Sequence, residues 1–240
     1  MKAAVDISIV IPALNEAGKI GGDVRAAASF LAREGFSGEV IVVDDGSSDG
    51  TAEVAEEADV EPGIGKNVMR LETNRGKGFA LKTGIAASRG EIVIFADSGT
   101  CVPYADALPV IRRIREGGLD IGLGSRRHRE TVILRDRTLK RRFLSRIFHG
   151  AAVLAAGLPR RIKDSQCGFK IYRGDVARRL FAECGTHGYL FELEIISRAL
   201  KLGYRVEEFP IHWTCDLDSR LRPGADAPRV LKELRRLRRL

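Results

Sequence analysis

The stretch GEVIVVDDGSSDGT, residues 38–51, reads as a buried strand that runs straight into an acidic turn. Upstream, VDISIVIP (5–12) is a nearly continuous β-branched run, as expected of a strand covered on both faces. Between them, KIGGDVRAAASFLAREG (19–35) has a helical pattern ended by Gly35. The alternation continues. TAEVAEEA (51–58) is a predicted helix with Asp49 as its N-cap, and NVMRLE (67–72) is a third strand. GFALKTGIAASRG (78–90) is a helix closed by Gly90, and EIVIFAD (91–97) is a fourth strand. This rhythm predicts an α/β fold with a mainly parallel sheet and helices on both faces. Ligands of such open sheets bind beyond the carboxyl ends of the strands. Asn15-Glu16, Asp44-Asp45 and Asp97 all stand at such ends.

After residue 100 the rhythm loosens. A helix is expected near 105–116, a strand at DIGLGSR (120–126), and a loop, strand and helix along KDSQCGFKIYRGDVARRLF (163–181). GYLFELEIISRALKLG (188–203) reads as a helix and RVEEFPIHW (205–213) as one final strand. The 240 residues fit one large domain. We expect it at 1–226, followed by a C-terminal helix at 227–240.

The net charge of +8 is unevenly placed. Residues 126–142 carry +6 and residues 229–240 carry +5, so the remainder stands at −3. Leu139, Phe143, Ile147 and Phe148 interleave with arginines, and Val230, Leu231, Leu234 and Leu237 line one side of a basic helix. Both segments read as basic amphipathic interfacial helices suited to an anionic membrane surface. The stretch 126–158 is the expected acceptor- and membrane-facing part. No recognised nucleic-acid module is present, so no nucleic-acid partner is expected. The longest uncharged apolar run, 150–158, is far short of the roughly 20 residues of a membrane span. The opening residues read as a strand and not as a leader. Four widely spaced cysteines without a CxxC pair argue for reduced thiols and against a structural zinc. The expected location is therefore cytoplasmic, peripheral at the membrane.

Two constellations carry chemistry. VVDDGSSD (42–49) puts carboxylates and hydroxyls where a base and ribose could be read. Asp49 is better explained as a cap. Asp45 is assigned to the site, because acids after a buried strand cost stability unless something satisfies them. In NRGKGFALKTG (74–84), Gly76 and Gly78 flank Lys77 before a helix, which lets backbone and ammonium approach a phosphate. The P-loop spacing is absent. Asp97 is a strand-end acid suited to a metal, with Gly99 where a second acid would stand.

Together, IVIPALNE, VVDDGSSDGT, NRGKGFALKTG, GEIVIFADSG, GSR and DSQCGFKIY resemble, in order and spacing, the family 2 glycosyltransferases. The branch they look most like is the dolichyl-phosphate (polyprenyl-phosphate) glucose and mannose synthases. The resemblance covers roughly residues 5–226, and SQCGFK leans toward the glucose type. It implies a glycosyltransferase-A fold, Rossmann-like, binding a sugar nucleotide with Mg2+ or Mn2+. It also implies roles for single residues. Pro12, Leu14 and Glu16 line the nucleotide pocket, and Val43 and Asp45 contact the base. Asp97 holds the metal, while Gly99 and Cys101 depart from the family's other ligands. Arg126, Arg141 and Ser145 grip the lipid phosphate. Asp164 and Gly168-Phe169 shape the acceptor side. Glu192 and Glu194 lie near the sugar, and Ser219-Arg220 covers the diphosphate.

The chemistry expected is transfer of a hexose from UDP-glucose or GDP-mannose to a polyprenyl phosphate, inverting the anomeric carbon. A phosphate monoester is largely dianionic at neutral pH, its second pKa being near ~6, so it needs positioning more than a base. One carboxylate, diphosphate oxygens and water suffice for magnesium, with the Ser98 and Thr100 hydroxyls at hand. The alternatives are a soluble or glycan acceptor and a sugar-nucleotide-binding protein that has lost catalysis. A nucleotidyltransferase lacks a matching triphosphate loop here.

Overall fold

In the computed structural model, residues 5–135, 157–159, 161–188 and 190–215 are described. The β-branched runs form the central strands, because Val and Ile fit a pleated surface that is buried on both sides. Strand β1 (Ile7–Ala13) and β2 (Gly38–Asp44) are buried along their whole length and pair in parallel, Ile7 opposite Gly38 through Ala13 opposite Asp44. Helix α1 (Ala17–Arg33) connects them, and Gly35, at φ +70°, follows its last turn. Then come α2 (Thr51–Glu57), β3 (Gly65–Arg70), α3 (Lys77–Ala87) and β4 (Ile92–Ala96). A short 3-10 turn and α4 (Leu108–Arg115) lead to β5 (Ile121–Ser125) and β6 (Val132–Arg135). The chain returns in β7 (Phe169–Arg173), α5 (Gly174–Glu183), α6 (Phe191–Lys201), β8 (Val206–Pro210) and β9 (His212–Thr214).

The main sheet runs β3-β2-β1-β4-β7-β5-β8. From β1 the chain winds outward to β3, then crosses to β4 on the other side, so the topological switch lies between β1 and β4. Period-two alternation sends Ile9 and Ile11 to one face, against Ile20, Val24 and Leu31 of α1 and Ile111 of α4. Val10, Ile41 and Val43 go to the other, against Leu81 of α3, Phe181 of α5 and Phe191 of α6.

Three expectations need correction, and one strand direction is new. Helix α3 stops at Ala87, with Ser88 extended, so Gly90 is not its cap. Gly90 is required instead by close approach, since a Cβ there would lie 2.4 Å from the Ser8 nitrogen. The sheet is mainly parallel as expected, with β7 alone among the described strands antiparallel to both neighbours, pairing Ala96 with Phe169 and Leu123 with Lys170. The single last strand is two: β8 stays in the main sheet, and β9 pairs in parallel with β6. Residues 132–135, within the stretch expected to be an interfacial helix, are therefore a strand. Its Val132, Ile133 and Leu134 are exposed. Leu139, Phe143, Ile147, Phe148 and the C-terminal helix at 227–240 lie outside the described residues, as does the proposed boundary at 226.

Candidate active site

The carboxyl ends of β1, β2 and β4 meet on one rim. After β1 the chain turns sharply at Asn15, φ +48°, a conformation Asn tolerates better than most residues. The Asn15 amide donates to Ser47 Oγ at 2.7 Å, and its Oδ1 accepts the Ser48 amide at 2.9 Å. The amide of Glu16 donates to Thr51 Oγ1. The N-cap of α2 is Gly50, in the left-handed region, and not the expected Asp49, which stands one residue earlier and accepts from the Thr51 and Ala17 amides at 3.2 Å each. Pro12 and Val43 sit opposite each other just before the strand ends. Val43 is completely buried, with its side chain near Gly84 of α3. Leu14 and Glu16 are half-buried at the rim.

Asp45 is buried at the end of β2, and both its oxygens are engaged. They accept the Arg75 and Gly76 amides at 2.8 Å each. Its carboxylate thus holds the NRGKG loop, which delivers Lys77 to the rim. There Lys77 Nζ lies 2.7 Å from Asp97 Oδ1. Burial opposes charge on this lysine, but Asp97 and then Glu192 outweigh it, so its pKa is raised above the ordinary value. The ammonium also faces the Phe95 ring, 4.9 Å from its centroid.

Asp97 rests on the β7 approach. Its amide donates to the Gly168 carbonyl at 2.8 Å, and a Cβ on Gly168 would be 1.9 Å from Asp97 Oδ2. Only glycine lets the carboxylate occupy that position. Gly168 belongs to the DSQCGFK loop, which also carries the second charge centre. Arg126, just after β5, makes a bidentate pair with Asp164, Nε to Oδ2 at 2.7 Å and Nη2 to Oδ1 at 2.6 Å. Its Nη2 also donates to the Gln166 carbonyl at 3.0 Å. Burial works against both charges. The arginine nevertheless holds Asp164 well below the usual carboxylate range, and Asp164 raises the guanidinium. Beside them the fully buried Lys170 pairs with Glu192 at 2.8 Å. Asp97, Lys77, Glu192, Lys170, Asp164 and Arg126 thus form three ion pairs with balanced charge along one floor.

Several site residues were not visible as such in the sequence. Asp23 lies on the apolar stripe of α1 with Ile20, Val24 and Ala27, and a carboxylate on such a stripe is itself a signal. It is 2% exposed and binds the turn after β4. Lys170, inside a β-strand and fully buried, is another. Gln166 Nε2 is buried without a hydrogen-bond partner among the described residues. Glu194 is buried and accepts the Gly185 and Thr186 amides and the Arg198 guanidinium. Cys167 is a buried thiol whose pKa burial pushes up to about 12, and the four cysteines form no disulfide. Arg141, Ser145, Ser219 and Arg220 lie outside the described residues.

Among the described residues no group of three or more His, Cys, Asp or Glu could enclose a metal. Asp97 alone, with Lys77 against it, fits Mg2+ or Mn2+ only in company with a diphosphate. That is an ordinary arrangement for magnesium, which keeps waters and phosphates among its ligands.

The model of the family described as Glycosyl transferase family 2 matches residues 8–181. The dolichyl-phosphate beta-glucosyltransferase of Dictyostelium discoideum is 32% identical over 97% of this chain and 73% of its own length. The Homo sapiens protein of the same name is 31% identical over 90% and 70%. Among solved structures, glucosyl-3-phosphoglycerate synthase from Mycobacterium tuberculosis with UDP superposes with a TM-score of 0.67 at 22% identity, covering 100% of this chain and 82% of that one. The same enzyme with Mn2+, UDP-glucose and phosphoglyceric acid gives 0.66 at 22% identity, over 99% and 79%. The seven-stranded sheet with its one reversed strand is thereby a glycosyltransferase-A fold. The chain belongs to glycosyl transferase family 2 and is a glycosyltransferase.

Proposed function

We propose that the protein transfers glucose from UDP-glucose to a polyprenyl phosphate, with inversion at the anomeric carbon. The observation that carries this reading is the pairing of Lys77 with Asp97 on the rim, opposite Arg126 anchored by Asp164. The relatives named as dolichyl-phosphate glucosyltransferases support the choice of sugar and acceptor. Leu14, Glu16 and Asp45 frame the nucleotide end. Lys77 turns to the diphosphate, and Asp97 would hold a divalent cation there. The cation's contribution is to neutralise charge on the departing nucleoside diphosphate. Arg126 faces the acceptor phosphate with its fork already oriented by Asp164. The acceptor is dianionic near pH 7 and attacks without a general base. Glu192, fixed by Lys170, lies where the positive charge of an oxocarbenium-like transition state develops. Arg141, Ser145 and Arg220 complete the grip on phosphate in this reading.

We place the enzyme on the cytoplasmic membrane face, peripherally. The basic stretches and the exposed Val132, Ile133 and Leu134 support this. No helix among the described residues is long and apolar enough to cross a membrane. The test is incubation with labelled UDP-glucose or GDP-mannose, Mg2+ or Mn2+, and polyprenyl phosphate. Label from UDP-glucose in the lipid phase is expected. Label only in a water-soluble product would shift the reading to a soluble acceptor, and nucleotide binding without turnover to a lapsed enzyme.

A further inference from the structure

The turn after β4 holds two consecutive residues in the left-handed region, Gly99 at φ +93° and Thr100 at φ +45°. Glycine adopts this freely, whereas a β-branched residue there is strained. Such strain persists only where the surroundings over-determine it, and it collects at functional sites. Here the constraint is Asp23. From the buried face of α1, its carboxylate accepts the Gly99 amide at 3.0 and 2.8 Å and the Thr100 hydroxyl at 2.6 Å. The turn it clamps begins one residue after Asp97. Gly99 also stands where the family's second acid would be, and a side chain there would share the strain of Thr100, because φ is +93°.

We infer that Asp23 is a positioning residue for Asp97. It replaces a second acid at the metal-and-donor turn with a buried clamp, so that one carboxylate is presented to the donor diphosphate in a fixed direction. This rests on the donor-site reading above. A carboxylate that merely stabilised the fold would contribute to thermal stability and nothing else. A positioning residue also sets how much a divalent cation strengthens nucleotide binding, because that gain depends on where Asp97 points.

The test uses D23N, D23A and T100G in the full chain, with UDP as the probe. Calorimetry measures its affinity with and without Mn2+. Hydrogen exchange follows the amides of residues 97–102, and thermal unfolding follows stability. Loss of the charged clamp in D23A is expected to cut the Mn2+-supported UDP affinity roughly tenfold, with metal-free affinity changed less than about twofold. D23N keeps one accepting oxygen and loses less. T100G relieves the strain but removes the hydroxyl that Asp23 accepts, so it is expected to show faster exchange at 97–102 and part of the same affinity loss. Should D23A fail to fold, D23N and T100G decide. Wild-type Mn2+ dependence in the variants would overturn the inference, as would wild-type UDP binding that is indifferent to Mn2+. A wild type that binds no UDP would overturn the donor-site reading instead. In that event unchanged exchange at 97–102 in D23N defeats the clamp, and faster exchange upholds it.

Discussion

An ammonium 2.7 Å from a lone carboxylate changes what that carboxylate can hold. While Lys77 neutralises Asp97, a bare divalent cation meets a site of little net charge, and the nucleotide must bring the anionic ligands. Lys77→Gln is therefore expected to bind Mn2+ about tenfold more tightly without nucleotide, by electron paramagnetic resonance, while its KM for the donor rises. Asp97→Asn should lower transfer about 100-fold or more with the fold intact, measured as initial rates in the lipid-product assay. Asp97, Lys77 and Asp45 were legible in the sequence because each stands at a strand end or in a glycine-flanked loop, where position alone suggests a ligand. What Asp45 does there was not legible. It could be placed at the rim, but its two bonds to the Arg75 and Gly76 amides depend on a loop 30 residues further on. Lys170 was hidden for the same reason, its partner Glu192 lying 22 residues further on.

Between elements, glycines mark the places where one backbone must touch another group. Gly168→Ala puts a methyl onto the Asp97 carboxylate. It is expected to cost about 1–3 kcal/mol in thermal or denaturant unfolding and to abolish most transfer, because the carboxylate must move. Strand existence was readable from β-branched runs, but strand direction was not. FKIYR has the composition of a strand running either way, and β7 is reversed because the chain re-enters the sheet at the rim it left. The break between β8 and β9 was equally hidden. Ile211 separates two short runs of similar composition, and only the pairing of β9 with β6 shows that they belong to different sheets.

Across the whole molecule, charge is arranged in two ways. Buried charges are paired, and the pairs have a pH signature. Asp164 is buried and its pKa lies below the unfolded value, so its pair with Arg126 contributes fully above about pH 4 and is lost as pH falls through the depressed folded-state value. Asp164→Asn leaves a buried guanidinium without its counterion. It should cost about 3–5 kcal/mol near neutral pH, a gap that stays level down to roughly pH 5 and narrows in stronger acid. Chemical unfolding of both proteins across pH checks this. The surplus positive charge lies at 126–142 and 229–240. Binding to anionic vesicles, followed by sedimentation, should weaken several-fold as salt rises from about 0.1 to 0.5 M, and neutral vesicles should bind poorly.

The reversed strand has one more effect. Because β5 ends and β7 begins on the same rim, the chain departs after Arg126 and returns at Gly168 beside Asp97, and the described residues between them add no strand to the main sheet. That stretch can be lengthened, shortened or exchanged while the register of β1 to β4 stays as it is. On the proposed reading, the stretch that meets the acceptor is therefore separable in descent from the donor half, which it touches where Gly168 lies under Asp97. A lineage could change what receives the sugar and keep what supplies it.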